Sequence, residues 1–135
     1  MLLRVKRMKL LNILYKVNAA PSQSFEAGST YLYNISLLAD SVIYKAHFPD
    51  SPITPGACLI GIVKELSECL LGRNLKVAQI RNLKFLVPVY PSADGSEKPV
   101  NVSIKLVSLS SESVSIQAVI SDEEATYTKL SLFLI

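Results

Sequence analysis

The sequence predicts an α+β fold in which an antiparallel sheet wraps around one long central helix, and three features carry that expectation. The run from Gly56 to Leu71 contains no proline and ends at Gly72, a natural helix stop. The segments after it alternate apolar and polar residues, most visibly at Val100, Val102, Ile104 and Leu106, with the period of two of a half-buried strand. Ahead of the helix lies His47-Phe48-Pro49-Asp50-Ser51-Pro52-Ile53-Thr54-Pro55-Gly56. Its three prolines lock φ and bias the residues before them toward extended backbone, so this segment reads as a stiff loop.

The elements follow in chain order. Basic residues precede Leu10-Leu11-Asn12-Ile13-Leu14, but that apolar core of about five residues is shorter than the ~7 to 15 of a signal peptide, and secretion is not expected. Residues 1–8 have the character of a disordered extension, with Met8 as an alternative start. Strands are expected over Leu11–Val17 and Tyr31–Leu38, separated by the breakers Ala20-Pro21-Ser22 and Glu26-Ala27-Gly28-Ser29. The first half of the helix is apolar on every side (Ala57, Cys58, Leu59, Ile60, Ile62, Val63). The second half sets Lys64, Glu65, Ser67 and Glu68 against Leu66, Cys69, Leu70 and Leu71. Such a helix should be buried at its start and emerge at its end. Further strands are expected over Lys76–Val89, Val100–Leu109, Val114–Ile120 and Thr126–Leu134, with polar turns such as Ser92-Ala93-Asp94-Gly95-Ser96 between them.

At 135 residues, half of them hydrophobic, the chain suits one well-filled domain spanning 1–135. The net charge of +3 is spread along the sequence, which argues against a nucleic-acid binder and leaves room for an acidic partner. No segment reaches the ~18 uninterrupted apolar residues of a membrane span. Cys58 and Cys69 lie about 16 Å apart by helix rise, too far to bridge, and read as buried thiols in a reducing cytoplasm.

The chemistry concentrates around the single histidine. His47 is a group able to move protons near neutral pH, and it precedes by nine residues a helix start whose backbone N–H groups lack partners. With no second histidine and no cysteine pair at ligand spacing, neither a metal nor another cofactor is expected. Gly61 stands inside the helix at a cost of about 1 kcal/mol relative to alanine, offset either by close packing or by room for a substrate. Glu65 lies one turn beyond it on the same face and leans back toward it, either as a reacting acid or as a solvated surface charge. Arg73, Lys76, Arg81 and Lys84 cluster in sequence and suit an acidic partner or plain solvent equally.

The loop resembles that of the β-hydroxyacyl-[acyl-carrier-protein] dehydratases, whose motif reads roughly H-F-P-G-x-P-x-x-P-G and which adopt the hot-dog fold. The match lies at His47, Phe48, Pro49, Pro52, Pro55 and Gly56, and the resemblance runs on through the helix to Arg81-Asn82-Leu83-Lys84-Phe85-Leu86-Val87-Pro88-Val89-Tyr90-Pro91. It implies a cytoplasmic enzyme that removes water from 3-hydroxyacyl chains held by acyl carrier protein, giving the trans-2-enoyl product. His47 would be the base and the Gly56 backbone N–H the carbonyl-polarising donor. Phe48, Pro55, Ala57 and Gly61 would line the substrate, and Arg73, Lys76, Arg81 and Lys84 would face the carrier. The resemblance also implies a homodimer or higher homo-oligomer whose chains share each active site. Two positions depart from the pattern. The loop's second family glycine is Asp50, and the acidic partner of the histidine, five residues after the Pro-Gly glycine, is Gly61. Glu65 would then be a substitute acid, or a related hot-dog subunit would supply one in a heterodimer. The alternative reading is a catalytically silent thioester-binding or partner subunit.

Overall fold

A computed structural model describes residues 9–22, 26–46 and 50–135. Six strands form one antiparallel sheet, and a long helix packs on its inner face. The strands are β1 (Tyr15–Ala19), β2 (Thr30–Leu37), β3 (Val77–Phe85), β4 (Lys98–Leu109), β5 (Val114–Ser121) and β6 (Thr126–Leu134), and the spatial order is β1-β2-β4-β5-β6-β3. A short helix α1 (Val42–Ala46) and the long α2 (Gly56–Leu71) connect β2 to β3. Among the described residues no helix is long and apolar enough to cross a membrane.

The sheet forms because alternate residues of each strand face the helix. In β4, Val100, Val102, Ile104 and Leu106 are buried, and the registers Ile104↔Ala118 and Ala118↔Leu130 carry the apolar row across β5 into β6. Helix α2 answers with Leu59, Ile62, Val63, Leu66, Ser67 and Leu70, a stripe at the i, i+3, i+4 spacing along its whole length. This corrects the expectation of a helix buried all round at its start: Ala57 is exposed, and Cys58, Ile60 and Gly61 are half-buried. The thiols change with it, because Cys58 is only half-buried and Cys69 is exposed. At the far end Gly72 adopts φ 67° and its N–H closes on the Glu68 carbonyl, a left-handed cap that favours glycine.

Two local features depart from the sequence expectation. Residues 10–14 are apolar enough for a strand, but they fold into a turn in which the Ile13 and Leu14 N–H groups donate to the Leu10 carbonyl and Asn12 takes φ 65°. Strand β1 therefore starts only at Tyr15. The sequence pattern assigns no element to 42–46, where Ser41 caps the short α1, with its hydroxyl accepting the Ile43 N–H and its carbonyl the Tyr44 N–H.

Strand β3 is the unusual element. Val77, Ile80 and Phe85 pair with Leu134, Leu132 and Thr128, which face the core, so they share the inner face. They are nevertheless exposed, at 37%, 42% and 53%, because β3 lies at the sheet edge.

Candidate active site

The start of α2 is where the sequence features converge. Pro55 sits at the cap position with extended backbone (φ −60°, ψ 141°), and no side chain caps the helix. Cys58 and Leu59 donate to the Pro55 carbonyl, whereas the N–H groups of Gly56 and Ala57 have no partner among the described residues. Two unpaired donors at the positive end of a sixteen-residue helix suit a developing oxyanion. The Phe85 ring lies over Gly56 so closely that a Cβ there would sit 2.5 Å from Cζ. A side chain at 56 would push the exposed Phe85 ring aside, so glycine is what lets the ring lie against the helix start. His47 and Phe48 lie outside the described residues.

The loop is braced at its distal end. The Thr54 N–H donates to the Val89 carbonyl at 2.8 Å, and the Thr54 hydroxyl is hydrogen-bonded to the Tyr44 hydroxyl at 2.7 Å. Both side chains are buried, and burial pushes the Tyr44 phenol above its ordinary range.

Gly61 faces Leu10. A Cβ at 61 would lie 2.8 Å from Leu10 Cδ1, closer than atoms pack, so the N-terminal turn fills the space that the helix leaves. Glu65 fastens the same turn. Its Oε2 accepts the Leu10 N–H at 2.7 Å, while Oε1 accepts the Leu11 N–H and the Tyr15 hydroxyl, each at 3.0 Å. Burial first, and then the Glu65 carboxylate, pushes the Tyr15 phenol upward.

The four cations separate in space. Arg73 donates through both guanidinium arms to the Ser110 and Ser111 carbonyls, and Lys76 exchanges backbone hydrogen bonds with Ile135, so both lie beyond the C-terminal end of α2, about 24 Å of helix away from Gly56. Arg81 donates to Gln79 Oε1. Lys84 precedes Phe85 and pairs directly across the sheet with Lys129, and the two line a shallow depression of about 250 Å³ on the outer face. The sequence reading did not single out Leu10, Tyr44, Thr54 or Phe85. Only Gly61 signalled a contact of this kind, since a helical glycine needs a close neighbour to offset its cost.

The wrapped sheet, the central helix and the proline-rich entry to an uncapped helix start define a hot-dog protein. A family model, ApeI-like and described as ApeI dehydratase, matches residues 23–124, and the chain belongs to this family. No curated protein matches the chain by sequence. Among solved structures it is similar to a chain of the dehydratase heterocomplex ApeI:P from Xenorhabdus doucetiae, with 18% identity and a TM-score of 0.60 over 86% of this chain and 96% of that one. It is also similar to the HP0420 homologue of Helicobacter felis (12% identity, TM-score 0.63, 99% and 95% covered). A third similar structure is Cj0977, a sigma28-regulated virulence protein from Campylobacter jejuni (6% identity, TM-score 0.60, 91% and 75% covered). At these identities the structural likeness establishes the fold.

Proposed function

We propose that this chain is the histidine-bearing subunit of a dehydratase that acts on 3-hydroxyacyl thioesters of acyl carrier protein, with its acid supplied by a related hot-dog subunit. The observation that carries the reading is the pair of unpartnered N–H groups at Gly56 and Ala57, at the point where the proline loop enters α2. In the reaction His47 takes a proton from C2 while the Gly56 N–H stabilises charge on the thioester carbonyl. The C3–O bond then breaks, the hydroxyl takes up a proton and leaves as water, and the trans-2-enoyl chain remains. The elimination is redox-neutral, so it calls for no oxidant or reductant. Phe48, Pro55 and Ala57 flank the acyl thioester, and the cytoplasm is the compartment that suits carrier-bound chains.

The proton for the leaving hydroxyl is the role this chain fills least well. Position 61 holds no carboxylate and is covered by Leu10, and both oxygens of Glu65 are engaged by the N-terminal turn. Two surfaces offer a second chain a seat: the exposed inner face of β3 and the half-exposed apolar side of α2 at Cys58 and Ile60. The ApeI:P structure, a dehydratase heterocomplex, is what favours a related but different subunit there over a second copy. Among the four clustered cations, Lys84 adjoins Phe85, whose ring covers Gly56, and with Lys129 it is the proposed seat for the acidic carrier.

The test is mass-spectrometric detection of water loss from a 3-hydroxyacyl carrier-protein substrate. The chain is assayed alone and with a related hot-dog subunit from the same organism, each with His47→Ala as control. A loss of 18 Da, the mass of water, that needs both chains and vanishes in the control supports the proposal. Full turnover by the chain alone would return the acid to this subunit, and turnover that survives His47→Ala would remove the histidine from the mechanism.

A further inference from the structure

The hydrogen bond between Tyr44 and Thr54 spans the whole proline loop. Tyr44 lies in α1, three residues before His47, and Thr54 lies two residues before Gly56, so one 2.7 Å contact joins two residues ten positions apart. Neither partner has slack. Tyr44 is 2% exposed and Thr54 4% exposed. Helix α1 is fixed from behind by Ser41, which accepts the Ile43 N–H with its hydroxyl, and Thr54 is fixed from beyond by the Val89 carbonyl. A hydroxyl pair buried at this position has no solvation role. An apolar pair of the same shape would fill the space equally well without setting direction, whereas a hydrogen bond between two buried hydroxyls enforces both distance and angle.

We infer that Tyr44 and Thr54 are positioning residues that latch the two ends of the loop together and so set His47 relative to the Gly56 N–H. The inference rests on the dehydratase reading for its effect on rate, and on the hydrogen bond alone for its effect on the loop. The reaction needs base and oxyanion donor at fixed separation across a single thioester, and a displacement of about 1 Å in such an arrangement is enough for a rate loss on the order of 100-fold. A latch of this kind acts on kcat, because it touches neither carrier nor acyl chain.

The experiment uses the full chain, with its partner subunit if turnover requires one, and the variants Thr54→Val, Tyr44→Phe, the double variant and Thr54→Ser. Each hydroxyl deletion should lower kcat by about 10-fold or more with KM within about twofold, the double variant should lose no more than the worse single one, and Thr54→Ser should keep near-parental kcat. Hydrogen exchange followed by mass spectrometry on the peptide covering 45–55 supplies the readout that does not depend on turnover. Exchange should rise several-fold in Thr54→Val and Tyr44→Phe and stay at the parental rate in Thr54→Ser. Unchanged exchange in the hydroxyl deletions overturns the latch even if no dehydration is found. Raised exchange with no turnover in the parent leaves the latch standing and counts against the dehydratase reading instead. Folded variants with raised exchange and an unchanged kcat would make the bond structural only and overturn its positioning role.

Discussion

Glu65 shows what a single carboxylate does in this chain. Its two oxygens accept two backbone N–H groups and a phenol, all from the segment Leu10–Tyr15, and so hold the N-terminal turn against α2. Charge-assisted hydrogen bonds of this kind are the strong ones, and removing their common acceptor leaves three donors without it. Glu65→Ala should therefore destabilise the chain by on the order of 3 kcal/mol, read as a lower urea midpoint. Glu65→Gln should recover part of the loss, because its carbonyl oxygen still accepts. A solvated surface charge at this position would leave the midpoint unmoved.

Among the elements, β3 and α2 divide the consequences. On the inner face of β3, Val77, Ile80 and Phe85 stay exposed, although the Phe85 ring reaches over Gly56 at the start of α2, and an exposed apolar edge strand is a template for pairing. If the proposed second subunit seats here, Ile80→Lys should weaken its assembly while leaving the fold intact, which native mass spectrometry of the mixed chains would show as a shift from complex to free chain. The elements themselves were largely legible in the sequence. Helix α2 runs from Gly56 to Leu71 because the proline loop and Gly72 bracket it, and the strands beyond it follow the alternation of Val100 to Leu106. What stayed illegible depended on distance along the chain. Glu65 meets Leu10 and Leu11 across 55 and 54 residues, and Leu10 meets Gly61 by the same route, so no local pattern could reveal either contact. The turn at 10–14 escaped for the same reason: its apolar residues read as strand until the carboxylate that anchors their backbone is in place. Helix α1 escaped because five residues are too few to show a period.

For the whole molecule, the buried phenols link stability to pH. Tyr15, Tyr33, Tyr44 and Tyr127 all have pKa values raised above 10.0, in each case first by burial. The Glu65 carboxylate adds to the effect at Tyr15, Cys69 at Tyr33, and the Asp122 carboxylate, which accepts the hydroxyl proton, at Tyr127. Above pH 10 the unfolded chain releases these protons while the folded chain keeps them, so the folded state binds more protons and its stability falls as pH rises. Well below pH 10 both states are protonated and the phenols contribute no slope. Urea midpoints should accordingly be nearly flat in this respect around pH 8, begin to fall as the pH approaches 10 and drop steeply toward pH 12. The drop should be smaller in Tyr15→Phe when each curve is compared with its own value at pH 8.

The seat of Leu10 on Gly61 also limits the order in which the sequence can change. A Cβ introduced at 61 meets Leu10 Cδ1 at 2.8 Å, so a carboxylate can enter the helix there only if the Leu10 side chain turns aside or residue 10 becomes smaller. Either route loosens the packing of the N-terminal turn against α2. Positions 10 and 61, fifty-one residues apart, are therefore expected to change together over evolutionary time, the size of one side chain setting what the other can hold.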